Sequence, residues 1–161
     1  MPEEWRRDGF LISTDKPRLD LDAIHAFLAR SSYWARGVPI DVVRRCIENS
    51  LPFGVYDGGG RQVGFGRVIT DYATFAYISD VFVLPTHRGR GLARWLVEVM
   101  IGHPDLQGLR RWMLATQDAH GLYRGAGFVP VAHPERWMER HFPDVYRARP
   151  PVGDADEDGG V

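Results

Sequence analysis

The run from Thr74 to Met100, TFAYISDVFVLPTHRGRGLARWLVEVM, restricts the fold more than any other part of the chain. Its first half is aromatic and β-branched, which suits a buried strand. Pro85 ends that strand, because proline brings no N–H to a sheet ladder. In its second half Leu92, Trp95, Leu96, Val99 and Met100 recur at helical spacing as far as Gly102. Another strand-like stretch, RRWMLAT, follows. The strand–helix–strand unit from Val81 to Ala115 calls for parallel strands joined by a right-handed crossover.

The remaining segments supply neighbours for that unit. FLIST (Phe10–Thr14) reads as a short opening strand. Asp20 or Asp22 can cap a helix running to about Arg30, with Leu21, Ile24, Phe27 and Leu28 on one face. SSYWARGVP is a loop. Asp41 marks the N-cap region of a second helix, in which Val43, Cys46 and Ile47 share a face up to Asn49. LPFGVYD and VGFGRVIT are strands joined through GGGRQ. HGLYRGAGF forms a short helix closing at Gly127, and FVPV is a candidate last strand. Successive strands with tight turns pair antiparallel, so the expected fold is a mixed α/β sheet with one parallel pair and helices on both faces. One domain is expected over residues 1–150. The ending DADEDGGV is acidic, glycine-rich and free of apolar anchors, which predicts a disordered tail over 151–161.

Charge and cysteine content remove several functional classes. A net charge of −1 gives no general attraction to nucleic acid or to an anionic membrane, and only Arg88, Arg90 and Arg94 could form a local basic stripe. Cys46 is the sole cysteine, which excludes an internal disulfide and a multi-cysteine zinc site and suits a reducing compartment. The opening MPEEWRRDGF lacks the apolar core of a signal peptide. No apolar run approaches the roughly 20 residues of a membrane span. A cytoplasmic protein is expected. His25, His87, His103, His133 and His141 show no metal-binding pair at i, i+4 spacing, so no metal is assigned.

The helix mouth at Arg88–Arg94 carries the chemistry. A helix start leaves about four backbone N–H groups unpaired and bears a partial positive charge, so it suits phosphate oxygens. Gly89 and Gly91 let a ligand approach the backbone, and Arg88, Arg90 and Arg94 add full charges. The local features point to a pyrophosphate. No lysine–hydroxyl pair of a nucleoside-triphosphate loop is present, and Arg94 stands where a dinucleotide fingerprint needs its third glycine.

SDVFVLPTHRGRGLARWLVEVM followed by DAHGLYRGAGF resembles the GNAT superfamily of acetyl-CoA-dependent N-acetyltransferases. The family's acyl-CoA loop, [QR]-x-x-G-x-[GA], is matched by Arg88-Gly89-Arg90-Gly91-Leu92-Ala93, in the form the family writes as Arg or Gln ahead of two small residues. LYRGAGF is similar to the family's aromatic segment ending in Gly–Phe. The likeness is strong over Ile78–Val131 and pattern-level from Phe10 to Thr74. It implies a mostly antiparallel mixed sheet with a parallel pair splayed around the acyl-CoA site.

The resemblance also implies roles. Backbone amides from Arg88 to Arg94, through Gly89, Arg90, Gly91, Leu92 and Ala93, would cradle the pyrophosphate of acetyl-CoA, used as co-substrate. The main chain of Val81 and Val83 would pair with its pantetheine arm. Tyr123 is placed to protonate the departing thiolate, since a phenol of pKa about 10 can donate to a thiolate whose acid lies near 8.5. Asp80 is the candidate base, directly or through water. Strand alternation turns Asp80 and Val81 to opposite faces unless a bulge intervenes, and the resemblance implies such a bulge. Tyr33 and Trp34, in the loop between the first two helices, would line the acceptor site and face an amine cation, with Trp137 as a further wall. Asp118 reads as an N-cap and Cys46 as a core residue. The expected activity is acetyl transfer to a primary amine, on a small molecule or a protein, by direct attack in a ternary complex. A silent acyl-CoA sensor and a protein lysine or N-terminal acetyltransferase stand as alternatives, and a homodimer is compatible with the resemblance.

Overall fold

The computed structural model describes residues 1–147, and the expected tail lies outside them. Six strands form one sheet: β1 (Glu4–Arg7), β2 (Phe10–Ser13), β3 (Leu51–Tyr56), β4 (Gln62–Thr70), β5 (Phe75–Val83) and β6 (Arg111–Met113). They lie in chain order, and every pairing is antiparallel except β5 with β6. Four α-helices complete the fold: α1 (Leu21–Arg30), α2 (Ile40–Glu48), α3 (Leu92–Ile101) and α4 (His120–Gly125).

The helices divide between the faces. Asp20 caps α1 by accepting from the Ala23 amide at 3.0 Å, and the apolar stripe Ile24, Phe27 and Leu28 turns inward. That stripe meets Val43 and Ile47 of α2 and Phe65 and Phe82 of the sheet. Phe27 stacks on Phe82 with ring centroids 4.0 Å apart. On the other face α3 buries Leu92, Trp95, Leu96, Val97, Val99 and Met100 against Phe53, Val55, Val63, Val68, Ala76 and Ile78. Gly66 makes this contact possible, because a Cβ there would collide with Met100 Cε and come within 3.1 Å of Val81.

Three expectations change. The N-terminal EWRR forms β1, joined to β2 through Asp8 (φ 50°) and Gly9 (φ 82°), the double positive φ of a tight hairpin turn. FVPV forms no strand: Pro130 offers no N–H to a ladder, and Val129 is 80% exposed. Helix α2 starts from Pro39 as N-cap, with Asp41 inside its first turn.

Strand β6 pairs only with Phe75–Tyr77, whereas β5 continues to Val83. Beyond Tyr77 the parallel pair therefore separates, and β5 acquires a free edge. A bulge sits on this free section. Phe65 faces Phe82 and Arg67 faces Ser79, so Gly66 stands opposite both Asp80 and Val81. Asp80 adopts φ 57°, a left-handed conformation in which Asp is better tolerated than branched residues. The extra residue resets the alternation. Ala76 and Ile78 face α3 before it, Val83 with Val81 faces α3 after it, and Phe82 is left for α1.

Candidate active site

The β5 bulge turns the Asp80 carboxylate onto the α1–α2 side of the sheet. Its Oδ1 accepts from Trp34 Nε1 at 2.7 Å, and its Oδ2 accepts from Arg67 Nε at 2.7 Å. The Arg67 and Asp80 side chains are only 13% and 9% exposed, so this is an ion pair largely withdrawn from water. Trp34 and Tyr33 meet edge to face, with centroids 5.0 Å apart. The Tyr33 hydroxyl in turn accepts from the Gln117 amide at 2.8 Å, which links the α1–α2 loop to the segment after β6 across the separated strands.

Tyr123 enters the same space from α4. It is 8% exposed and packs edge-on against Phe128. Burial pushes its hydroxyl up to about pKa 12, and Tyr33 and Asp118 act in the same direction. Tyr33, Trp34, Asp80, Val81, Asp118 and Tyr123 line one cavity of about 530 Å³, with Glu139 and His141 completing its wall. Asp118 does not cap α4, whose N-cap is Ala119; the Ala119 amide is taken by Thr116 Oγ1 at 3.0 Å. Trp137 is not part of this wall and instead lies over the Arg111 guanidinium, 4.7 Å from ring centroid to Cζ. A smaller cavity of about 170 Å³ lies across Trp34, Ser79 and Asp80 and includes Cys46 and Arg67.

The phosphate-type loop lies past the end of β5, outside that cavity. The Val63 carbonyl accepts from the Leu84 amide at 2.8 Å, so Val63 and Leu84 are a hydrogen-bonded pair. Gly64 and Val83 are then a non-bonded pair, and the Val83 N–H and C=O point away from β4 toward the free edge. Arg88 Nε donates to that Val83 carbonyl at 3.2 Å. The Arg88 amide is used in a turn, donating to Pro85 O at 3.4 Å, which shortens the expected cradle by one residue. Gly89 (φ 79°) and Gly91 (φ 74°) take left-handed conformations, and no protein atom stands within 4 Å of a Cβ built on either. The first α3 bond, Trp95 N–H to Gly91 O at 3.0 Å, leaves the preceding amides pointing out of the helix start. Leu92 is buried and Ala93 packs on the α3 core, so these two contribute through backbone. Arg90 is exposed, and Arg94 pairs with Glu98 at 3.3 Å. This donor set, with open space above the glycines, fits a pyrophosphate.

Sequence reasoning does not single out Arg67, Gln117 or Glu139, and it weighs His141 only as a metal ligand. Arg67 carried a signal, a lone charge inside the apolar strand VGFGRVIT. Gln117 and Glu139 carry none, and nothing marks His141 as a cavity residue, since polar residues in irregular segments are common. Among the described residues no group of His, Cys, Asp and Glu could hold a metal ion, and no helix is long and apolar enough to cross a membrane.

The chain is similar to known proteins in sequence and fold. The model of the acetyltransferase (GNAT) family matches residues 21–128. A solved structure from Xanthomonas campestris pv. campestris, provisionally assigned to the same family, superimposes with a TM-score of 0.83 at 52% identity, covering 85% of this chain and 96% of that one. A provisionally named acetyltransferase of Gibberella zeae is 37% identical over 143 residues, spanning 76% of this chain and 80% of its own. A Clostridium acetobutylicum acetyltransferase whose crystal structure is described as containing acetyl-CoA has a TM-score of 0.59 at 13% identity, over 88% of this chain and 96% of that one, a likeness of fold.

Proposed function

The chain belongs to the acetyltransferase (GNAT) family, and we propose that it moves an acetyl group from acetyl-CoA to a primary amine by direct attack in a ternary complex. One observation carries the reading. The free edge of β5 begins at the cavity holding Asp80 and Tyr123 and ends at the open amides of Gly89–Arg94. Such a track offers amides to a pyrophosphate at one end, backbone partners to an amide-bearing arm along its length, and a roomy pocket at the other.

Val81 and Val83 present main chain to the arm, and a strand N–H near Val81 polarises the thioester carbonyl. Each Asp80 oxygen keeps a lone pair besides the one given to Trp34 or Arg67. Asp80 can therefore take the amine proton through a water. Tyr33 and Trp34 offer ring faces to the incoming cation. Tyr123 donates to the departing sulfur, and its raised pKa sets how far the proton moves. From about 12 to a thiol near 8.5, complete proton transfer is uphill by ~5 kcal/mol. Tyr123 thus stabilises the thiolate by hydrogen bonding, while the amine supplies the proton that finally leaves with the thiol. Holding both substrates together provides most of the remaining gain.

A silent sensor would need its acceptor space filled, and the 530 Å³ cavity counts against that alternative. A cytoplasmic site of action, resting on the single Cys46, is part of the proposal. Calorimetric titration with acetyl-CoA, ATP and NAD tests it first. Micromolar binding of acetyl-CoA alone, with thiol release on an amine panel and intersecting bisubstrate kinetics, is expected. Parallel kinetic lines would replace the ternary complex with an acyl-enzyme, and absence of acetyl-CoA binding up to millimolar would remove the whole reading.

A further inference from the structure

We propose that the acceptor is an amine carrying a second positive charge, and that Glu139 is the residue that selects it. The inference rests on the acetyl-transfer reading and concerns the same cavity. Its charged wall residues are Asp80, Asp118 and Glu139, beside His141; among the described residues no lysine or arginine lines it. Asp80 is balanced by Arg67, which reaches it from the smaller cavity. Glu139 has no such partner: among the described residues it forms neither an ion pair nor a side-chain hydrogen bond. The exposed rings of Tyr33 and Trp34, 46% and 42% accessible, add two aromatic surfaces that attract cations. An acceptor with a carboxylate or phosphate would find no counter-charge here and would meet Glu139 directly. An acceptor with a second ammonium or guanidinium would find its partner.

The segment that carries Glu139 is anchored at both ends. Upstream, Trp137 is seated on Arg111 at the edge of β6. Downstream, Tyr146 packs against the α1–α2 core and lines the smaller cavity. The segment between these anchors passes along the acceptor cavity and presents Glu139 and His141 to it. It lies wholly outside residues 21–128, the part matched by the family model. Selectivity for the acceptor is therefore carried by a portion of this chain that the common acetyl-CoA machinery does not need. The reacting amine sits toward Asp80 and Tyr123, and the second charge sits toward Glu139.

The test uses the full chain with acetyl-CoA binding first established by calorimetry. Three acceptor series of matched length are compared by thiol release: α,ω-diaminoalkanes of about three to six carbons, n-alkyl monoamines, and ω-amino carboxylates. Diamines are expected to exceed monoamines in kcat/KM by about tenfold, with amino carboxylates lowest. Glu139→Gln is expected to bring the diamine-to-monoamine ratio toward one, mainly through KM, and Glu139→Asp to recover part of it. Direct titration of the diamine should show a matching five- to tenfold loss of affinity in Glu139→Gln. A lysine peptide with a neighbouring arginine, run beside the diamines, distinguishes a protein source of the second charge from a small-molecule one. Amino carboxylates turned over as well as diamines, or a ratio unmoved by Glu139→Gln, would overturn the inference and leave acetyl transfer standing. Failure of acetyl-CoA to bind would remove both.

Discussion

Replacing Asp80 with asparagine isolates the charge on which the β5 bulge depends. Asparagine tolerates the left-handed φ of 57°, so the backbone term is nearly unchanged. The side chain, however, faces two donors, Trp34 Nε1–H and Arg67 Nε–H, each 2.7 Å away. A carboxylate satisfies both; an amide has one acceptor oxygen and must turn its own N–H₂ toward the other donor. The Arg67 guanidinium, 13% exposed, is then buried beside a donor without its counter-charge. Breaking a buried pair in this way costs about 3–5 kcal/mol, and the retained Trp34 bond places the expectation near 3. For a domain of this size that is a fall of roughly 6–12 °C in Tm. Urea unfolding followed by tryptophan fluorescence measures the loss. Arg67→Met should cost less than Asp80→Asn, and the double variant should be at least ~1.5 kcal/mol better than the sum of the singles. A loss below ~1 kcal/mol for Asp80→Asn, or additive singles, would show that the pair is not what holds the bulge.

Tyr123→Phe should leave acetyl-CoA affinity within about twofold while lowering kcat by ~10²-fold, read from calorimetry and thiol release; equal losses in both would make Tyr123 a packing residue. Tyr56 and Tyr123 are both raised by burial to about 12, above the ordinary 10.0 they regain on unfolding. Their contribution is thus fully present below pH 10 and is lost as pH climbs from 10 to 12, by about 2–3 kcal/mol each. Lys16 is the only lysine, so the alkaline fall in urea midpoint is dominated by tyrosine, and Tyr56→Phe should remove about half of it. At neutral pH Tyr56→Phe should be neutral or stabilising, because the buried Tyr56 hydroxyl has no hydrogen-bond partner among the described residues. Gly91→Ala places a side chain at φ 74° and should cost about 1 kcal/mol of stability and weaken acetyl-CoA binding, whereas Arg90→Ala should affect binding alone.

The legible parts of this protein are those governed by short-range periodicity. Helices α1 and α3 show their buried stripes in sequence, and β3 to β5 show their apolar runs between turn residues. The Gly89–Arg94 loop is legible for a similar reason, since its two glycines and the helix start are adjacent in the chain. Strand β1 was missed although Asp8-Gly9 is a hairpin signal. Its residues Glu4, Arg6 and Arg7 are exposed edge residues, and no alternation of apolar and polar residues marks the strand.

The pocket is harder to read because it is assembled from long-range contacts that depend on register. Trp34 and Asp80 are 46 residues apart, and Tyr33 and Gln117 are 84 apart. Strict alternation from Ala76 and Ile78 would send Asp80 under α3, where a carboxylate would meet Leu96 and Met100. One extra residue opposite Gly66 turns it to the other face, within reach of Arg67 and Trp34, and simultaneously aims Val81 and Val83 at the α3 side. The bulge, the glycine that admits α3 beside it and the buried charge pair therefore form one structural unit. A substitution that crowds the bulge should therefore displace the Asp80 carboxylate from Arg67 and Trp34 and narrow the acceptor side. Gly66→Ala, which touches neither the carboxylate nor the loop, should consequently lower turnover while leaving the Gly89–Arg94 amides able to bind acetyl-CoA. Equal turnover in that variant would show that the bulge holds its shape without close packing from α3.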